Sequence, residues 1–96
     1  MTFEEYSRLD PALAPKDLSP ALLALLHDKA GDWKAAHALV AAHEHAQTNR
    51  VHAYLHRKEG NMTNARHWYR RVDDAEHTGP LDDEWELLAR RYLEAP

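Results

Sequence analysis

Two glycines constrain this chain more than any other feature. Gly31 and Gly60 stand 29 residues apart, and each leads into Asp or Asn and then a bulky apolar residue: Gly31-Asp32-Trp33 and Gly60-Asn61-Met62. Glycine ends helices because, lacking a Cβ, it enters the left-handed conformation without a clash. Asp and Asn begin helices because a side-chain oxygen accepts a free N–H of the first turn. A stop followed at once by a start predicts a helical hairpin, and two such points predict two hairpins.

The apolar pattern agrees. Ser19 is a cap residue and Pro20 suits a first helical position, and Leu22, Leu23, Leu25 and Leu26 then form a broad apolar face up to Gly31. From Asp32 a second helix is expected to about His45, with Trp33, Ala36, His37 and Val40 at helical spacing. A third is expected from a Thr48 cap to Glu59, with Val51, Tyr54 and Leu55 on one face. A fourth, capped by Asn61 or Thr63, runs to about Val72 and carries Met62, Ala65, Trp68, Tyr69 and Val72. Gly79-Pro80 breaks the chain, and Leu81–Glu94 reads as a last helix with Leu81, Trp85, Leu88 and Tyr92 on one face. Its acids lie in the first turn and Arg90 and Arg91 in the last, as the helix dipole favours. No segment alternates with the period of two that a half-buried strand needs. The expected class is all-α, with about five helices: two antiparallel hairpins and a C-terminal helix. Residues 1–18, a short helix from Thr2 to Leu9 and a linker with Pro11 and Pro15, are set apart from a helical domain over 19–96. Trp33, Trp68, Trp85, Tyr54, Tyr69 and Tyr92 are the expected core.

Composition narrows the chemistry. There is no cysteine, which removes disulfides, thiolate metal sites and cysteine nucleophiles. No apolar run approaches the ~18–20 residues that span a bilayer, and the acidic N-terminus does not resemble a secretory signal, so a cytoplasmic location and no membrane partner are expected. The net charge is −4, which argues against nucleic acid as a partner. Charge is nonetheless segregated. Arg50, Arg57, Lys58, Arg66, Arg70 and Arg71 face one acid, Glu59, within residues 50–71, whereas residues 73–86 hold seven acids and no Lys or Arg. Either the two blocks neutralise each other inside the fold, or the arginines form an anion site. No glycine-rich phosphate loop or serine nucleophile motif is present.

The segments around the glycines also align with each other, AGDWKAAHALV with EGNMTNARHWY, each with Ala five residues after its Gly. Gly60, Met62, Ala65, Tyr69 and Val72, and in the first copy Gly31, Trp33, Ala36 and Val40, resemble the second half of a tetratricopeptide (TPR) or Sel1-like repeat, and the WYRR run at Trp68–Arg71 is Sel1-like. The strings HAYLHRKEG and NARHWYRR also resemble a group of small bacterial and fungal helical proteins. The resemblance implies stacked TPR-like hairpins and, as function, a non-enzymatic binding or scaffold module. Its expected partner is a protein, an acidic peptide or a second copy of the chain, the last through the Leu81–Tyr92 face. Arg57, Arg66, Arg70 and Arg71, with His52 and His56 beside them, are the expected recognition surface, since guanidiniums clamp carboxylates in bidentate fashion.

Histidine supports a different reading. There are eight. His52 and His56 are four apart and so lie one above the other on a helix, the spacing of a two-histidine metal half-site. His37, on the preceding helix, is the natural third ligand. A zinc-protease motif is absent, because Ala53 stands where its Glu would follow the first His. His37, His52 and His56 are therefore expected either as a polar core network with Asn64, Tyr69 or Glu59, or as a small-ligand or divalent metal site, zinc foremost.

Overall fold

Each helix begins and ends where local hydrogen bonding dictates. In the computed structural model, which describes residues 1–94, α1 spans Phe3–Ser7, α2 Pro20–Lys29, α3 Trp33–Ala42, α4 Ala46–Glu59, α5 Met62–Arg71 and α6 Leu81–Glu94, with one 3₁₀ turn at Pro11–Leu13. The last two residues of the expected domain lie outside the described residues. Thr2 and Glu5 cap α1 reciprocally, each side chain accepting the other's backbone N–H at 3.0–3.1 Å. Ser19, Asp32 and Asn61 accept the N–H groups of Leu22, Ala35 and Asn64 and start α2, α3 and α5. Gly31 and Gly60 have φ of 90° and 88°. Past each glycine the next N–H reaches back five residues, Asp32 to the His27 carbonyl and Asn61 to that of His56, both at 2.9 Å. This closes the helix by satisfying a carbonyl that the ladder leaves free.

Three boundaries differ from the sequence reading: α1 ends at Ser7 rather than Leu9, and the other two flank the α3–α4 link. α3 stops at Ala42, and α4 starts at Ala46, so Thr48 lies inside the first turn. Its buried hydroxyl accepts the His45 N–H at 3.0 Å and donates to the His43 carbonyl, which ties the loop to α4 from within.

Among the described residues every regular element is a helix, and there are no strands. The short links make α2/α3 and α4/α5 antiparallel hairpins. α4 is central, packed against α2, α3, α5 and α6. Among the described residues no helix is long and apolar enough to cross a membrane. The main core joins Leu25, Leu26, Val40, Val51, Tyr54 and Leu55 to Trp85, Leu88 and Tyr92. Ala53 and Ala65 are fully buried between α4 and α5, where a larger side chain would push the helices apart. Tyr6, absent from the expected core, is fully buried, donates to the Leu22 carbonyl at 2.5 Å and stacks on Trp85 at 5.9 Å. Trp33 and Trp68 are only partly buried, and both stand at the histidines.

The charge blocks do meet. Glu84 is fully buried, and it accepts from Arg57 Nη1 at 2.8 Å and from the Tyr69 hydroxyl at 2.5 Å. Arg50 Nη1 is also 2.8 Å from Glu84, a charge contact without hydrogen-bond alignment, while Arg50 Nε donates to Asp74 at 2.8 Å. Removing an ion from water costs several kcal/mol, on the order of what good pairing returns. The network therefore contributes less net energy than position, fixing α6 and the 72–80 loop against α4.

Candidate metal centre

The α3–α4 packing brings the predicted histidines together. His37 follows Trp33 by one turn on α3, and His52 and His56 share the α4 face turned toward it. His37 Nε2 and His52 Nε2 are 3.1 Å apart. Ring centroids are 4.8 Å apart for His37–His52, 5.3 Å for His37–His56 and 4.8 Å for His52–His56. One nitrogen from each ring lies within 4.8 Å of the other two. His52 and His56 are buried and His37 is half-buried, so the cluster opens to solvent on the α3 side.

Its walls are indoles. Trp33 lies parallel to His37, 8° apart in plane and 4.9 Å between centroids, and Trp68 stacks on His52 at 4.1 Å. Trp33 is held by its Nε1, which donates to the Leu55 carbonyl at 2.9 Å. Glu59 stands behind the third ring, with Oε2 2.5 Å from His56 Nδ1, leaving His56 Nε2 for another partner. A carboxylate on the outer nitrogen fixes the tautomer of a metal-binding histidine and makes it a better ligand. His52 has no such support, since its Nδ1 is buried without a hydrogen-bond partner.

The electrostatics favour neutral rings at His52 and His37. Burial first, then the neighbouring His56, His37 and His67, pushes the His52 imidazole down to about 4. Burial and then His56 lower the His37 imidazole, against an opposing pull from Glu59. Neutral imidazole is the form that binds metal. Two bare nitrogens at 3.1 Å repel unless a proton or a cation lies between them. The residues present thus fit a divalent transition metal: three nitrogen donors, no thiolate, and one donor braced by a carboxylate.

The arginines are arranged differently. Arg57 turns inward to Glu84, Arg66 donates to Glu76 at 2.8 Å, and Arg71 pairs with Glu44 at 3.0 Å and lies over Trp68. Arg70 is exposed. Three guanidiniums are drawn to three separate carboxylates rather than to one common point. The Trp85–Leu88–Tyr92 stripe of α6 is buried within the chain. A cleft of about 410 Å³ between Phe3, Tyr54, Lys58 and Trp85 contains no histidine, and the Asp28 carboxylate in it is held by Tyr54 at 2.6 Å and Lys58 at 2.9 Å.

Sequence reasoning found the three histidines but read Trp33 and Trp68 as core. The spacing of Trp33 to His37 was a usable signal, since residues four apart on a helix touch. The stacking of Trp68 on His52 depends on how α4 and α5 pack. Comparison with family models, with curated proteins and with solved structures gives no match, so the chemistry of the site is read from its own residues.

Proposed function

We propose that this chain binds a divalent transition metal, zinc foremost, through His37, His52 and His56, with Glu59 bracing His56. The observation that carries this reading is the convergence of three imidazole nitrogens from two helices within 4.8 Å. Around an ion with bonds of about 2.1 Å, tetrahedral donors sit about 3.4 Å apart. The His37–His52 pair at 3.1 Å is near that spacing already, and small ring rotations would bring His56 to it. Bound metal would supply Lewis acidity and would join α3 to α4.

Untagged protein, stripped with chelator and titrated with zinc, is expected to take up one equivalent. Ligand at 100 times Kd adds about 2.7 kcal/mol of stability, a rise in melting temperature of roughly 10 °C or more for a domain this size. His37→Ala, at a half-buried position, is expected to fold and to lose the uptake and the thermal shift together. Stripped wild type that takes up neither zinc nor nickel nor cobalt at micromolar concentration ends the proposal.

A second reading, a surface for an acidic peptide, is supported by the exposure of Arg66, Arg70 and Arg71 along α5. Exposed ion pairs such as those of Arg66 and Arg71 are worth only about 0–1 kcal/mol, so a peptide carboxylate could displace Glu76 or Glu44. A poly-glutamate peptide is expected to bind with salt-sensitive affinity that Arg66→Ala/Arg70→Ala reduces. Binding that ignores both salt and the substitutions removes this reading.

A further inference from the structure

We propose, resting on the metal reading above, that the centre keeps one coordination position open on its α3 side, occupied at rest by water in equilibrium with hydroxide, and that a small monodentate anion takes it. Four observations converge. The group of side chains able to share an ion comprises three histidines, and among the described residues no fourth histidine or carboxylate joins them. Structural zinc sites close with four protein ligands, whereas three protein ligands leave a position for an exogenous one.

The nearest carboxylate is already committed. Glu59 sits on His56 Nδ1, the ring nitrogen that would be turned away from an ion at Nε2. It braces a ligand rather than adding one.

Access is asymmetric. His52 and His56 are buried, and His37 alone of the three is half-exposed, so an incoming molecule meets the site beside His37. Trp33 against His37 and Trp68 against His52 narrow the approach with apolar rings, which suits a ligand of a few atoms.

Charge then selects its sign. Three neutral imidazoles leave the full +2 of a divalent ion uncompensated at a partly desolvated place, where Coulomb attraction is much stronger than in water. Glu59 offsets part of that charge from behind one ligand. A small anion completes both the coordination and the charge balance. The bound water of such a centre has a pKa of about 7, so around neutral pH it interchanges with hydroxide by releasing a proton to solvent.

Cobalt(II) reports all of this, because its visible bands respond to coordination number and ligand type. The stripped protein is loaded with cobalt and titrated with azide, and separately with base. The expected result is a saturable change of the bands with azide and a single pH-dependent change in its absence, while His37→Ala binds cobalt at least ten-fold more weakly. Cobalt bound stoichiometrically with bands that neither azide nor pH alters would overturn the open position and leave the metal site standing. Azide sensitivity confined to Glu59→Gln would overturn it too, by identifying Glu59 as the fourth ligand. Absence of cobalt binding in wild type would instead remove the metal reading itself.

Discussion

His52 shows how much one residue's surroundings decide. Its ring is buried against Trp68, His37 and His56, and its pKa falls to about 4. An unfolded histidine titrates near about 6.5, so between those values the unfolded chain binds a proton that the folded chain refuses. Stability is therefore full above about pH 6.5 and is lost as the pH falls toward about 4. Urea denaturation at pH 7 and pH 5 is expected to show the wild type losing on the order of 2 kcal/mol through this group. His52→Asn should lose less over the same interval. A pH slope identical in both proteins would contradict the assignment. His37 shifts in the same direction, so some slope persists in the variant. Metal binding at the proposed site would share the sign, because protons compete for the same nitrogens.

At the scale of elements, α2, α4 and α5 end in the same way with different residues. Gly31 and Gly60 take the left-handed turn after α2 and α4, and Asp73 takes it after α5 with φ of 54°. The Asp74 N–H reaches back to the Tyr69 carbonyl at 3.0 Å, repeating the bond seen after each glycine. A residue with a Cβ pays about 1–2 kcal/mol for that conformation, Asp and Asn somewhat less. Gly60→Ala is thus expected to destabilise by about 1 kcal/mol although its Cβ would meet no atom within 4 Å, and Asp73→Gly to stabilise by about 0.5–1 kcal/mol. Thermal melts of the two variants should move in opposite directions, and a shift of the same sign in both would refute the argument. These signals are local, which is why Gly31, Gly60, Ser19, Asp32 and Asn61 could be read as helix ends directly. Asp73 could not, because Asp is used far more often at starts than at stops.

The whole molecule depends on a residue outside the repeats. A radius of gyration of 12.2 Å is near the about 12.5 Å expected of a compact chain of this length, and Tyr6 helps to close it. The ring of Tyr6 lies on Trp85 of α6 and its hydroxyl bonds the Leu22 carbonyl in α2, so α1 joins the first and last large helices. Tyr6→Ala is expected to cost about 3–5 kcal/mol, against about 1 kcal/mol for Tyr6→Phe, which loses only the hydrogen bond. Denaturation midpoints would order the three proteins, and a Tyr6→Ala variant as stable as wild type would detach the N-terminal segment from the core.

The helix starts at Ser19, Asp32 and Asn61, the stops at Gly31 and Gly60 and the stacked pair His52–His56 follow from the chain alone, because each is settled by residues within about five positions of one another, where backbone hydrogen bonding and the 3.6-residue turn leave few choices. Which helix faces meet is settled by burial summed over distant segments, and periodicity does not encode it. Only the packing of α3 on α4 brings His37 within 3.1 Å of His52, only α5 places Trp68 on that ring, and only α6 carries Glu84 into the interior to meet Arg50 and Arg57. A charged or half-polar side chain reads as surface until the elements that enclose it are assembled.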